Sequence, residues 1–137
     1  MKRSPESVLD ASALLAFIRQ EPGGTAVQRF LDRRAGISAV NWAETLTKLA
    51  DAGEDPSAAA FRIRSGEMLG ASLAILPFEE REAREAACLR KATQAQGLSL
   101  GDRACLATAR VLGATAVTAD RSWSKLNVGI RVHVIRT

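Results

Sequence analysis

Residues 98–109 constrain the fold most, because they combine a clear helix start with side chains that are apolar on nearly every face. Ser99 is a favourable N-cap residue, and Asp102, three positions later, completes the Ser-x-x-Asp capping pattern that opens a helix. The residues that follow, through Leu112, predict a helix of the kind that is usually buried. A carboxylate needed only for solubility is unexpected at the start of such a helix. The alternative role of Asp102 is to cap the helix and interact with its dipole.

Short apolar segments alternate with helical patterns along the 137 residues. Strands that alternate with helices are typical of a parallel sheet with helices on both faces. The length suits one domain, and no internal repeat or linker divides the chain. The sequence therefore predicts a single doubly wound α/β domain over residues 1–137, with a mostly parallel sheet of about five strands. The predicted strands are residues 7–10, the neighbourhood of Ile37, and residues 73–76, 114–118 and 131–136.

Capping residues and helix breakers predict where the other helices begin. Ser12 and Thr25, both common N-cap residues, are expected to begin the two helices on either side of a Pro-Gly-Gly break. Ser38 is expected to begin a third helix, and Pro56 suits the first turn of a fourth. A single charged helix is predicted over residues 79–96, with its charges forming a solvated outer face.

The composition is that of a globular protein with a basic surface. Apolar residues make up 47% of the chain, but no apolar run approaches the roughly 20 residues of a membrane helix. The N-terminus lacks a signal-peptide pattern. Cys88 and Cys105 lack metal-ligand spacing, so both are expected to be reduced, buried cysteines of a cytosolic protein. The net charge of +4 comes mostly from arginine, which suits RNA, DNA or an acidic peptide. Because His133 is the only histidine, acid–base chemistry by a histidine pair is excluded.

Four acidic residues fall where an open parallel sheet binds ligands, outside the carboxyl ends of its strands at a switch in strand order. Asp10 follows the first predicted strand and Asp120 follows the fourth, so their carboxylates share one edge if these strands are neighbours. Asp102 begins the helix that leads into the fourth strand, and Glu44 lies in the second turn of the helix after the second strand. Each has a simpler alternative: the strand-end aspartates as turn residues, Asp102 as a cap, and Glu44 as a solvent-facing residue opposite its helix's apolar stripe.

A cluster of like charges is costly unless a cation neutralises it, and carboxylate oxygens suit Mg²⁺ or Mn²⁺ better than Zn²⁺. Two such ions can activate a water molecule and stabilise the leaving oxygen of a phosphodiester, without any histidine. The sequence therefore suggests phosphodiester hydrolysis at a metal site formed by Asp10, Glu44, Asp102 and Asp120, with one or two ions.

Further polar residues lie close to these acids. Ser12 and Thr118 each lie two residues from one of the strand-end aspartates, and are candidates to hydrogen-bond and orient the metal ligands. Their alternatives are a helix cap and an ordinary β-branched strand residue. Arg103 and Arg121 each follow an acidic residue directly, and their guanidinium groups are candidates to bind a substrate phosphate. The alternative for both is an exposed arginine without a partner.

Four stretches of the chain carry these features in a fixed order: residues 8–14, 37–44, 98–109 and 117–123. They resemble the PIN-domain family, and within it the toxin ribonucleases of bacterial toxin–antitoxin modules of the virulence-associated protein C type. The resemblance extends across almost the whole chain, and all four acidic positions of the family pattern are occupied. It implies that these acids bind Mg²⁺ or Mn²⁺ and that the protein cleaves RNA endonucleolytically.

The same resemblance implies partners. It implies an RNA substrate, a cognate antitoxin from the same operon, and a homodimer that joins the antitoxin in a larger complex in the cytoplasm. In such toxins the tail of the antitoxin lies in a groove of the early helices. The candidates to line that groove are large apolar residues whose alternative role is ordinary core packing: Phe17, Phe30, Trp42, Leu46 and Phe61.

Three other classes of protein are alternatives. A phosphoacceptor receiver domain would carry an adjacent acidic pair and a lysine after the last strand, which here ends in Arg136. A haloacid-dehalogenase-type phosphatase would carry a second aspartate two residues after Asp10, where Ser12 stands. A catalytically silent PIN-like module would bind RNA or a protein without cutting, and metal dependence of activity would distinguish it from the enzyme.

Overall fold

A computed structural model of the chain describes residues 4–65 and 73–136. In these residues one five-stranded sheet has the order β3-β2-β1-β4-β5, and all neighbouring strands are parallel. The first and fourth strands are therefore neighbours, as the acidic cluster requires, and the strand order reverses between them. The strands are β1 (Ser7–Leu9), β2 (Ala35–Ser38), β3 (Leu73–Leu76), β4 (Thr115–Thr118) and β5 (Val132–Val134).

Helices cover both faces of this sheet, and successive strand residues point to opposite faces. Val8 belongs to the core under one set of helices, and Leu9 belongs to the core under the other. Ala116 and Val117 on β4 divide in the same way. The doubly wound α/β prediction is confirmed. The helices are α1 (Ala11–Ile18), α2 (Gly24–Asp32), α3 (Ala39–Asp51), α4 (Pro56–Arg64), α5 (Glu80–Cys88), α6 (Arg90–Thr93) and α7 (Leu100–Leu112), with a 3-10 helix at Arg121–Lys125.

Helix α7 begins as its capping pattern predicts. Ser99 Oγ accepts a hydrogen bond from the Asp102 amide at 3.1 Å, and Asp102 Oδ2 accepts one from the Ser99 amide at 2.9 Å. The helix is buried from Ala104 to Ala109 and ends at Gly113, whose φ of 66° is left-handed. Helix α7 packs against α5 on one side and α3 on the other, so it brings Asp102 next to the helix that carries Glu44.

Three predicted helix bounds were wrong. Asp10, in place of Ser12, caps α1, because the strand ends at Leu9 and Asp10 keeps an extended backbone. Gly23, in place of Thr25, precedes α2, because the turn from α1 needs a residue with φ of 90° and the helix therefore starts earlier. The charged helix over 79–96 is two helices, α5 and α6, which meet at Leu89. The Ser38 cap and Pro56 in the first turn of α4 are confirmed.

Within residues 4–65 and 73–136, no helix combines the length and the apolar character needed to cross a membrane.

Candidate active site

Asp10 lies at the switch in strand order, in the crevice between β1 and β4. Its amide donates to the Val117 carbonyl at 3.0 Å, and its side chain is only 4% exposed. Oδ1 accepts hydrogen bonds from Ser12 Oγ at 2.7 Å and from the Ala13 amide at 2.8 Å. Oδ2 accepts one from Thr118 Oγ1 at 2.5 Å. The end of β1, the first turn of α1 and the end of β4 together fix this carboxylate.

Burial raises the pKa of Asp10 to about 6, although hydrogen bonds from Thr118, Ala13 and Ser12 favour the charged form and lower it. The charge of Asp102 raises this pKa further. At neutral pH the protein therefore holds a buried carboxylate whose charge is incompletely compensated by its own hydrogen bonds. A cation bound beside it would remove that cost.

Ser12 and Thr118 link the two strands as well as contacting Asp10. Ser12 Oγ accepts a hydrogen bond from the Ala119 amide at 2.9 Å, and Thr118 Oγ1 accepts one from the Asp120 amide at 3.0 Å. Both hydroxyls donate to the Asp10 carboxylate, and each also holds the backbone that leads to Asp120. Their role in orienting a metal ligand stays a prediction.

Glu44 lies on an exposed part of α3, yet its carboxylate turns toward the first turn of α7. Asn41 Nδ2 donates a hydrogen bond to Glu44 Oε1 at 2.7 Å. A β-carbon on Gly101 would lie 2.6 Å from both carboxylate oxygens, a distance shorter than any van der Waals contact. The absence of a side chain at Gly101 is therefore what lets Glu44 approach α7 beside Asp102.

The buried thiol of Cys105 lies where several of the acidic residues affect its pKa. Burial raises its pKa most, and the charges of Asp10, Asp102 and Glu44 raise it further. Its Sγ donates to the Val8 carbonyl at 3.7 Å, so it lies beneath β1. Three of the four predicted acids therefore lie near enough to this thiol for their charges to act on it. Of the two cysteines predicted to be buried, Cys105 is buried and Cys88 is exposed.

Asp120 lies at the same edge but faces its own chain. Its Oδ1 caps the 3-10 helix by accepting hydrogen bonds from the Ser122 amide at 2.9 Å and from Ser122 Oγ at 2.8 Å. The residue is exposed, and only its backbone amide connects it to Asp10, through Thr118. Among the four acids, Asp120 is the one whose charge is not among those that raise the pKa of Cys105.

The two arginines proposed to bind phosphate differ in their surroundings. Arg103 Nη1 donates to the Ala86 carbonyl at 2.9 Å, which ties α7 to α5. Arg121 is exposed at the edge of the sheet and lines a cavity of about 500 Å³ together with Arg136 and Glu21. The position of Arg121 suits contact with a ligand, whereas Arg103 already has a structural partner.

The aromatic and leucine candidates for a partner groove also divide into two groups. Phe17, Phe30, Trp42 and Leu46 are partly buried and pack against the core on the α1–α4 side of the sheet. Phe61 on α4 is 77% exposed and has no comparable packing among the described residues. Phe61 is the most exposed residue of this set, whereas Phe17 and Phe30 each line a cavity.

Sequence analysis singled out neither Asn41 nor Gly101 as part of the site. Gly101 carried a signal, because glycine is unfavourable inside a helix and often marks a close approach of another group. Asn41 lies three positions before Glu44, a spacing at which helical side chains meet. That spacing alone does not separate a functional contact from a helix surface contact.

The ligand chemistry of the cluster fits a hard divalent cation. Asp10, Asp102 and Glu44 offer carboxylate oxygens, which Mg²⁺ and Mn²⁺ prefer. Among the residues that the structure describes, no three acidic, histidine or cysteine side chains are already gathered closely enough to hold an ion. Like charges repel one another when no cation lies between them, and Asp120 is held instead by its contact with Ser122. The residues fit the ion in type.

Solved structures share this architecture. FitAcB from Neisseria gonorrhoeae aligns over 94% of this chain and 97% of its own, with a TM-score of 0.68 and 22% identity. A toxin–antitoxin complex from Klebsiella pneumoniae aligns over 94% and 97%, with a TM-score of 0.65 and 18% identity. Mycobacterium tuberculosis VapC20, a toxin that cleaves the sarcin–ricin loop, aligns over 91% and 98%, with a TM-score of 0.65 and 18% identity.

At these identities the likeness is one of fold. No curated protein sequence matches the chain significantly. The family model for the PIN domain matches residues 7–129, which include strands β1 to β4 and all four predicted acidic positions. Because this match covers most of the sequence and the parallel sheet agrees with it, the chain belongs to the PIN domain family.

Proposed function

We propose that this protein is the toxin of a toxin–antitoxin module and acts as a metal-dependent endoribonuclease. The observation that carries the proposal is the buried carboxylate of Asp10 at the β1–β4 switch point. The charges of Asp102 and Glu44 act near it, since all three acids raise the pKa of the buried Cys105 thiol. An uncompensated negative cluster in a chain of net charge +4 indicates a cation site, not a surface for solubility. The net positive charge of the chain suits an RNA backbone.

In this proposal Asp10, Asp102 and Asp120 hold Mg²⁺ or Mn²⁺, and Glu44 completes the site directly or through water. When bound, the ion supplies the charge that activates the attacking water and stabilises the leaving oxygen. Ser12 and Thr118 keep the Asp10 carboxylate in one orientation through their hydrogen bonds. Arg121 provides positive charge for a flanking phosphate at the rim of the site.

The similar structures support the toxin assignment and its partner. One is a toxin–antitoxin complex, and another is a toxin that cleaves the sarcin–ricin loop. By analogy we assign this protein a cognate antitoxin as partner, RNA as substrate, and a homodimer as its own assembly. The exposed Phe61 on α4 is the residue most suited to meet such a partner.

A second candidate is a PIN-like module that binds RNA or a protein without cutting. The local capping contact of Asp120, whose Oδ1 accepts hydrogen bonds from Ser122 at the start of the 3-10 helix, favours it. The enzyme and the silent module differ in RNA cleavage. Only the enzyme shortens RNA, and it needs the ion to do so.

The test is cleavage of a fluorogenic RNA by purified protein, with and without EDTA, beside Asp102→Asn purified identically. Cleavage that requires the ion and disappears in the variant supports the nuclease. Equal RNA cleavage by the wild-type and Asp102→Asn preparations would mean that the activity comes from a contaminant. If neither preparation cleaves RNA and mass spectrometry finds no bound antitoxin fragment, the silent module is the better assignment.

A further inference from the structure

We infer that Asn41 is a positioning residue, which holds the Glu44 carboxylate against the first turn of α7 so that it faces the metal site. The inference rests on the proposed function, because it concerns the same cation site. It goes beyond that function by assigning a role to a buried amide that lies outside the four acids.

Asn41 connects two helices through one amide nitrogen. Its Nδ2 donates to Glu44 Oε1 at 2.7 Å and to the Gly101 carbonyl at 2.9 Å. Gly101 directly precedes Asp102 in the turn that the Ser99 capping box holds in place. The position of Glu44 is therefore tied, through Asn41, to the same turn that carries Asp102.

The contact comes with a cost that a purely structural residue would avoid. Asn41 is only 1% exposed, and its Oδ1 is buried without a hydrogen-bond partner in the described part of the chain. A buried unpaired acceptor destabilises the folded state, and a small apolar residue at this place would not carry one. The amide is oriented so that both of its donors are satisfied, and the acceptor is the group left unpaired.

Glu44 needs this support because, within residues 4–65 and 73–136, its side chain makes no other hydrogen bond and no ion pair. The residue lies on an exposed part of α3, where a long flexible side chain adopts many rotamers. Gly101 leaves space for the carboxylate but gives no attraction, since its contribution is a missing β-carbon. The charge-assisted hydrogen bond from Asn41 is the directional contact that selects the conformation facing α7.

The test is a thermodynamic cycle for Mn²⁺ binding, measured by calorimetry on the full chain. Asn41→Ala is expected to weaken Mn²⁺ binding about tenfold or more, as loss of a group that orients a ligand commonly does. In the Glu44→Gln background the same substitution is expected to have little further effect, because the carboxylate that it positions is already absent. Thr47→Ala is an exposed substitution on the same helix, and the hydroxyl that it removes donates to the Ala43 carbonyl and not to Asn41 or Glu44, so this matched control should bind Mn²⁺ like the wild type.

Three results would overturn the inference while leaving the proposed function intact. The first is that Asn41→Ala binds Mn²⁺ as tightly as the wild type. The second is that Asn41→Ala weakens Mn²⁺ binding equally with and without the Glu44 carboxylate. The third is that Glu44→Gln binds Mn²⁺ as tightly as the wild type. A wild-type protein that binds no Mn²⁺ would instead overturn the proposed function together with the inference. If Asn41→Ala does not fold, Gly101→Ala displaces the carboxylate without altering the buried amide. The affinity of Gly101→Ala for Mn²⁺ should then be lower than that of the wild type, but only in protein that keeps the Glu44 carboxylate. Unchanged affinity would overturn the inference.

Discussion

Thr118 Oγ1 lies 2.5 Å from Asp10 Oδ2 and donates a hydrogen bond to it, joining the ends of two neighbouring strands that are 108 residues apart in sequence. The same hydroxyl accepts a hydrogen bond from the Asp120 amide at 3.0 Å. One side chain therefore holds both the orientation of the buried Asp10 carboxylate and the backbone position of Asp120.

Replacing Thr118 by valine should weaken Mn²⁺ binding about tenfold or more, because a group that orients a ligand is removed without a change in side-chain shape. The pKa of Asp10 should rise above about 6, since the lost hydrogen bond favoured the charged carboxylate. Calorimetry with Mn²⁺ and an NMR titration of the Asp10 carboxyl measure the two effects. Thr115→Val, on the same strand, is the control. An unchanged Asp10 titration would show that this hydrogen bond does not govern the charge of the site.

Replacing Asp10 by asparagine should stabilise the ion-free protein at neutral pH by up to about 3 kcal/mol. Burial raises the pKa of Asp10 from 3.8 to about 6, so between these values the folded state binds more protons than the unfolded state. Stability from this residue is therefore fully present below pH 3.8 and is lost as the pH rises through about 6. Asparagine carries no charge and escapes that loss, while it still can accept the hydrogen bonds from Ser12 and Ala13.

Urea unfolding in EDTA at several pH values checks this prediction. The stability advantage of Asp10→Asn over the wild type should increase from pH 4 to pH 6 and then level off, and added Mn²⁺ should reverse it at neutral pH. Asp51→Asn, an exposed substitution that makes the same change in net charge, is the control. A wild-type protein that is more stable than Asp10→Asn in EDTA at neutral pH would mean that the hydrogen bonds outweigh the cost of burying the charge.

Replacing Asp102 by asparagine should abolish RNA cleavage and leave the fold nearly as stable as the wild type. The asparagine oxygen can still accept the hydrogen bond from the Ser99 amide that closes the capping box. Asp102→Ala loses that acceptor and should be less stable by about 0.5–2 kcal/mol. Thermal unfolding and the RNA assay, run on both variants, separate the catalytic role from the cap. Equal destabilisation of the two variants, or cleavage by Asp102→Asn, would leave the capping role as the sufficient explanation.

The sequence was most informative where local chemistry decides the structure. The Ser99–Asp102 capping box was predicted because its two hydrogen bonds lie within a single turn. The adjacency of β1 and β4 was a condition for the two strand-end aspartates to share one edge, and the sheet order meets that condition. The predicted N-cap of α1 was wrong, because Ser12 and Asp10 are equally good capping residues and the choice between them depends on where β1 ends.

The orientations of the acidic side chains could not be predicted, because they depend on contacts between distant elements. Glu44 reaches α7 only because Gly101 on that helix lacks a β-carbon, a relationship that spans 57 residues of sequence and depends on how α3 packs against α7. Asp120 turns to Ser122 because a hydroxyl and an amide two residues away satisfy its carboxylate locally. A pattern of acids predicts a shared edge of the sheet, but not which carboxylates face one another.

The two arginines next to the acids should respond in opposite ways to replacement by glutamine. Arg121 is exposed beside Asp120, so Arg121→Gln should weaken RNA binding and change the free energy of unfolding little. Arg103 donates to the Ala86 carbonyl and ties α7 to α5, so Arg103→Gln should destabilise the fold by about 1 kcal/mol or more. RNA binding by fluorescence anisotropy in EDTA, at several salt concentrations, together with urea unfolding, measures both effects. Arg121→Gln should also reduce the dependence of binding on salt, because one phosphate contact is lost. If Arg103→Gln reduces the salt dependence while keeping wild-type stability, Arg103 binds phosphate and its contact with Ala86 is incidental.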